Sequence, residues 1–385
     1  MSIRLNKKKH KLGTLLTIVL ILSLASLPFL VLAIDDPETT TWFSLSQGYS
    51  DAVFNDVAFL NATHGWVVGQ WTEGMSGNGV VLHTVDGGDT WETQLQSGRE
   101  QVYRQIDILH SDSVWITSWG GLYHTSDDGQ TWDDYPVVDE NSLMSTVEFL
   151  NDTHGWTATM NTLYNTSDGG DTWSTVPGWT FDDSLRDIQF VTETEVWGIG
   201  FFGIYHSEDC AETWTEVHSS GGWSISMQVN GEGWAVADSN LMHSSDGITW
   251  DDLTVPGPAP SFRSRAPYLG DLFFTEEEGW IVGEETPVMH TVDNGLTWYE
   301  QSVPESINRR LLAVDFLNQT HGWAAGGGGA IIKTTNGNSL GSPFNDVFLP
   351  ILTIAAGSIL VICSILYVVY RMRKTNPVPL DNGIQ

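Results

Sequence analysis

The sequence predicts an all-β fold: a seven-bladed β-propeller with an acidic turn in each blade. An N-terminal signal segment precedes it and one C-terminal transmembrane helix follows it. Three observations carry this expectation. The stretch from Thr84 to Trp91 (TVDGGDTW) recurs from Thr125 to Trp132, Thr166 to Trp173, Ser207 to Trp214, Ser244 to Trp250 and Thr291 to Trp298, with a degenerate seventh copy at Lys333 to Gly337. The six Trp residues closing these copies are spaced 41, 41, 41, 36 and 48 apart, and a period near forty marks a repeat architecture. Within each period, four short apolar runs are separated by tight turns, without helical periodicity, which is the pattern of a propeller blade.

Taken in order, residues 1–11 are basic and 12–33 apolar, ending in the small-residue site Val31-Leu32-Ala33. Residues 1–33 therefore read as a signal peptide or signal anchor. The propeller is expected over 38–340. In each blade, strand A is an apolar run such as Val57 to Leu60 or Val314 to Leu317. Strand B opens at a Trp (Trp66, Trp115, Trp156, Trp197, Trp234, Trp280 and Trp323). Strand C is short and apolar, and strand D opens with Thr-Trp after the acidic turn. The seventh copy lacks a strand D. The stretch Thr40-Thr41-Trp42-Phe43-Ser44-Leu45 matches one, so the N-terminus is expected to complete the last blade and close the ring, removing two exposed sheet edges. After a Gly/Ser/Pro/Asn linker, 347–370 runs 24 residues without a charge, long enough to span a bilayer. Arg371, Arg373 and Lys374 follow, which places the tail 371–385 in the cytoplasm and the propeller outside a single-pass cell-membrane protein.

The recurring turn resembles an Asp-box, the S/T-x-D-x-G-x-T-W turn of the bacterial neuraminidase repeat. Its Asp (Asp86, Asp127, Asp168, Asp209, Asp246 and Asp293) is suited to accept backbone N–H bonds inside its own turn. Its Gly supplies a backbone angle that Cβ-bearing residues resist. Six similar acids spread round a ring cannot converge on one site, so these Asp residues are expected to be structural. The half-repeat from Leu311 to Trp323 (LLAVDFLNQTHGW), together with Arg186-Asp187-Ile188-Gln189-Phe190, each followed by an Asp-box, resembles the photosystem II stability/assembly factor-like propellers. That family pairs an R-D-V-x-F…H-G-W half-repeat with a T-x-D-G-G-x-T-W half-repeat. The resemblance covers about residues 38–340. It implies the propeller fold and the role of a scaffold for assembly or for binding protein or peptide.

Composition narrows the function. Between Asp35 and Asp346 only eight basic residues face 47 acids, a balance of −39, which argues against a nucleic-acid partner. The two cysteines, Cys210 in a turn and Cys363 in the apolar run, are not expected to pair. Eight of eleven histidines repeat by position: His64, His154 and His321 after strand A, and His83, His124, His206, His243 and His290 ending strand C. Repetition at one blade position suits a structural bond in each blade and not a metal centre, so no metal and no cofactor is expected. No catalytic triad, P-loop or dinucleotide fingerprint is visible, and Phe262-Arg263-Ser264-Arg265-Ala266-Pro267 is only a faint echo of a sialidase motif. The chain is therefore read as a binding protein and not an enzyme, with a carbohydrate-binding or glycoside-cleaving propeller as the alternative. Asn61, Asn151 and Asn318 begin sequons on A–B turns and are candidates for glycosylation. Seven of the eight ectodomain cations are Arg, all placed in D-to-A connections or at the start of strand A. That face also carries the B–C loops with Trp119, Phe201 and Phe202. Arg104, Arg186, Arg265, Arg309 and Arg310, with Trp119 and Phe202, are the predicted ligand-binding set, suited to grip a carboxylate of a protein or peptide partner. The bland alternative is that each Arg stitches neighbouring blades together.

Overall fold

Each forty-residue period folds into one antiparallel sheet, and seven such sheets stand round an axis. The computed structural model describes residues 41–343 apart from 46–48, 74–75, 100, 120, 138–142, 238–239, 254–268, 276–277, 284–287, 305–306, 308–309 and 340–341. The predicted signal segment, transmembrane helix and tail lie outside the described residues. Among the described residues no helix is long and apolar enough to cross a membrane.

Blade 1 is typical. Its strands A to D are Ala52–Phe59, Gly65–Glu73, Ser76–Thr84 and Glu92–Arg99, each pairing only with its neighbours in sequence. The A strands of adjacent blades face one another, so strand A is innermost and D outermost. Blade 7 takes its strand D from the other end of the chain. Phe43–Ser44 pairs antiparallel with Ile331–Thr334, Phe43 opposite Lys333, and the Leu45 N–H donates to the Ile331 carbonyl at 2.8 Å. The ring thus closes as the repeat count requires.

One feature departs from the expected linker. Ser342–Pro343 adds a fifth strand to blade 6, antiparallel to Tyr299–Glu300. The strand-D edge of that sheet had no partner of its own, and the departing chain covers it.

The blades are glued by the Trp that opens strand B. The strand B Trp stacks on a Phe ending strand A of the adjacent blade: Trp115 on Phe149 at 4.4 Å, Trp234 on Phe274 at 4.0 Å, Trp280 on Phe316 at 3.9 Å and Trp323 on Phe59 at 3.6 Å. Its other face meets the strand C His of its own blade, as in Trp115–His124 at 4.0 Å and Trp197–His206 at 4.0 Å. Aromatic stacking of this kind contributes about 0.5–1.5 kcal/mol per pair beyond area burial. Five repeated histidines are thereby structural. In five blades a Gly precedes this Trp, and close approach requires it: a Cβ at Gly322 would lie 2.4 Å from the Phe316 ring.

Candidate functional site

Two sets of carboxylates organise the two ends of the propeller. At the outer turns, the Asp-box acids bond to their own backbone. Asp86 Oδ1 accepts the Thr90 N–H at 2.8 Å and Oδ2 accepts the Thr90 hydroxyl at 2.6 Å, while the Thr84 hydroxyl donates to Oδ1 at 2.8 Å. Asp127, Asp168 and Asp209 repeat this network, and Asp293 accepts the Thr297 N–H at 2.7 Å. Asp246, in the shortened turn, takes the Ile248 and Thr249 N–H groups instead. Hydrogen bonding to Thr90, hydroxyl first, holds the Asp86 carboxyl down at about 2; the matching Thr hydroxyls lower Asp168 and Asp209, the Thr131 N–H chiefly lowers Asp127, and the Thr249 and Ile248 N–H groups lower Asp246. Each of these six acids is bonded within its own turn.

The second set escaped the sequence reading. A lone acid sits in strand A of six blades: Asp56, Asp107, Glu148, Asp187, Asp271 and Asp315. Strand A is the inner edge of each sheet, so its outward N–H groups need partners from the next blade. The acids supply them. Asp56 accepts the Ile106 N–H at 2.8 Å, Asp107 that of Phe149 at 2.7 Å, Asp187 that of Ile225 at 2.9 Å, Asp271 that of Val314 at 2.9 Å and Asp315 that of Phe59 at 2.7 Å. Gln105 and Gln189 do the same for Val147 and Met227 through their amide oxygens. Burial pushes every one of these acids up, to about 7 for Asp107, Asp187 and Asp315. Repulsion between ring members raises Asp56 and Glu148 further. The signal for this set was present in sequence: one acid flanked by apolar residues in strand A, blade after blade.

Five of these acids, all but Asp107, line a central funnel of about 1560 Å3. Arg104, Arg186 and Arg310 line the same funnel, with Met160, Phe201 and Trp223. They come from the entries to blades 2, 4 and 7. Arg186 is clamped: its guanidinium carbon lies 3.3 Å from the centroids of both the Phe201 and Trp223 rings, and Nη1 donates to the Gly222 carbonyl at 3.2 Å. A desolvated cation–π contact of this kind is strong and fixes the side chain. Because Gly222 and Trp223 lead into blade 5, Arg186 also stitches blades 4 and 5. Among the described residues, Arg104 and Arg310 form no ion pair. Both are exposed, and protein packed about the funnel lowers Arg104 from its ordinary value by desolvation.

The aromatic component differs from expectation. Phe201, and not Phe202, stacks on Arg186. The Asp183 carboxylate accepts both the Phe201 and the Phe202 N–H, at 2.8 and 2.9 Å. The loop it fixes turns Phe201 to the guanidinium, while Phe202 stands exposed beside it. Trp119 is 43% exposed and is not part of the funnel lining. Arg265 and Arg309 lie outside the described residues. Asn61, Asn151 and Asn318 each accept N–H bonds from their own exposed A–B turn. Among the described residues no group of His, Cys, Asp and Glu is arranged to hold a metal ion.

Seven antiparallel blades, local Asp-box turns and a closing strand from the N-terminus define an Asp-box β-propeller with a charged axial funnel. The family described as photosynthesis system II assembly factor YCF48 matches residues 35–140 and 263–345, just under half of the chain. The photosystem II assembly lipoprotein Ycf48 of Picosynechococcus sp. is 30% identical over 112 residues, which is 28% of this chain and 33% of that protein. A Synechococcus sp. lipoprotein of the same name is 32% identical over 84 residues, 21% of this chain and 25% of its own length. The chain thus matches a third or less of the length of these curated relatives. A structure of YCF48 bound to D1 peptide superposes with a TM-score of 0.62 at 19% identity, covering 78% of this chain and 98% of that one. A virginiamycin B lyase from Staphylococcus aureus gives 0.62 at 13% identity, covering 77% and 99%. Those structural likenesses show the fold alone. The sequence matches, over a chain with that fold, support a photosystem II assembly factor-like propeller.

Proposed function

We propose that the protein is a membrane-anchored, extracytoplasmic scaffold that holds a peptide segment of a protein partner in its axial funnel. The observation that carries this reading is that Arg104, Arg186 and Arg310 line one funnel with Met160 and Phe201, in a propeller region with only eight basic residues between Asp35 and Asp346. Arg presents a planar fork that grips a carboxylate at two points. Phe201 and Met160 offer apolar contact to neighbouring side chains. The acids lining the same funnel repel anions as they ionise, so attraction is confined to the arginines and acts at short range. A carboxylate-terminated or acidic peptide suits this arrangement. A related propeller is known as a complex with D1 peptide, which supports a peptide as the class of ligand.

Because Arg186 is clamped between rings and blades, its removal disturbs packing as well as charge. Arg104 and Arg310 are the cleaner pair to change. The double variant Arg104→Ala/Arg310→Ala is expected to capture at least tenfold less of a random peptide library with free C-terminal carboxylates, about 1.4 kcal/mol or more, with melting close to wild type. Undiminished capture by the double variant would place the binding surface elsewhere.

A further inference from the structure

Both ends of the described chain leave the propeller at one place. The Thr41 hydroxyl donates to the Ser302 carbonyl at 3.1 Å, the Trp42 N–H donates to the same carbonyl at 3.2 Å, and the Trp42 indole N–H donates to Gln301 Oε1 at 2.8 Å. The Gln301 amide in turn donates to the Ser339 carbonyl at 3.1 Å. At the other end, Ser342–Pro343 runs antiparallel to Tyr299–Glu300, with Pro343 opposite Tyr299. Strand D of blade 6 begins at its Asp-box turn, which ends at Trp298. An antiparallel strand therefore carries the chain back towards that turn. Only Phe344, Asn345 and Asp346 then separate Pro343 from the charge-free run 347–370, and three extended residues reach at most about 10 Å.

The Asp-box tips differ round the ring in a matching way. At the residue before the closing Thr-Trp, blades 1 to 4 carry Asp89, Gln130, Asp171 and Glu212. Blades 5 and 6 carry Ile248 and Leu296, which are 71% and 80% exposed. Two large aliphatic side chains thus stand in solvent on the exit blade and the blade beside it, on the face towards which the exit strand points.

We propose that the bilayer holding 347–370 is the docking surface for the Asp-box rim of blades 5 and 6. Ile248 and Leu296 rest at its headgroup level, and the arginine funnel, which opens on the opposite face, is turned away from the membrane. This rests on the anchoring part of the proposed function and not on its peptide part. The short tether makes the contact effectively intramolecular. Without it, a formal balance of −39 between Asp35 and Asp346 opposes approach to an anionic leaflet, so the seat depends on the tether.

Power-saturation spectroscopy on the full chain in phosphatidylcholine vesicles tests the orientation. With Cys210→Asn and Cys363→Ser as background, a nitroxide is placed through Leu296→Cys, Gln130→Cys or Phe202→Cys. The Leu296 label is expected to collide several-fold more with lipid-soluble oxygen relative to an aqueous nickel chelate than the other two. A long Gly/Ser insertion after Pro343 should abolish that difference. Equal behaviour at Leu296 and Gln130, or deepest immersion at Phe202, would overturn the orientation while leaving anchoring intact. Failure of the full chain to partition into vesicles would overturn the anchor and the orientation together.

Discussion

The acids of the outer turns and the acids of the funnel are the same chemical group in opposite circumstances. Asp86 is exposed, bonded within its own eight residues and held at about 2. Asp315 is half-buried in the funnel wall, bonded to Phe59 of the next blade across the closure of the ring, and raised by desolvation to about 7. The first set builds each blade alone. The second holds one blade to the next and stores repulsion while doing so. Repetition of a residue type in a propeller therefore does not fix its role. What matters is whether its partner lies within the repeat or across the gap.

The largest expected effect comes from breaking a turn where blades meet. Gly170 has φ 92°, and a Cβ there would lie 2.4 Å from the Trp115 ring of the preceding blade. Gly170→Ala combines left-handed strain with overpacking, and chemical denaturation should show a loss of roughly 2–4 kcal/mol.

An intermediate effect separates the two acid sets by pH. The funnel acids have folded pKa values above their unfolded ones, so the native state holds protons that the unfolded chain releases. Their contribution falls as pH rises from about 4 through about 7. The outer turns have the reverse sign: the stability from Asp86 is present above about 4 and is lost as pH falls towards about 2. Thermal unfolding followed against pH should therefore show a maximum near pH 4–5. Asp315→Asn keeps an oxygen acceptor for Phe59 and removes a charge. It should flatten the alkaline limb and stabilise by about 1–3 kcal/mol near pH 8. An unchanged limb in this variant would remove the ring from the account.

The smallest effect is a repair. Ala211 occupies in blade 4 the place of Gly170 in blade 3, with φ 61°. It packs in a cluster with Trp156, whose ring tilts 44° against Phe190 where the four equivalent stacks lie within 20°. Ala211→Gly should raise stability by about 0.5–1 kcal/mol in the same denaturation measurement.

The same distinction explains what could be read in advance. The Asp-box, the blade count and the closing strand were legible because their cause is local: a Thr, an Asp and a Gly within eight residues, or a Thr-Trp strand missing at one end and present at the other. The bond from Asp187 to Ile225 joins residues 38 apart, and no spacing rule within a blade announces it. The Arg186 clamp needed Phe201 and Trp223 from two loops, and sequence could not choose between Phe201 and Phe202 until Asp183 was seen to set the loop. Ser342–Pro343 looked like linker because a two-residue strand has no pattern of its own, and its pairing is supplied wholly by blade 6.

The central claim is that ligand recognition belongs to the funnel and not to the repeated outer acids. Hydrogen exchange of the propeller, with and without a saturating captured peptide bearing a free C-terminal carboxylate, tests it directly. Protection is expected at the backbone around Arg104, at 184–187, at 201–203 and at 310–313, with the Asp-box turns unchanged. Protection confined to the turns around Asp86, Asp127 or Asp168 would contradict it.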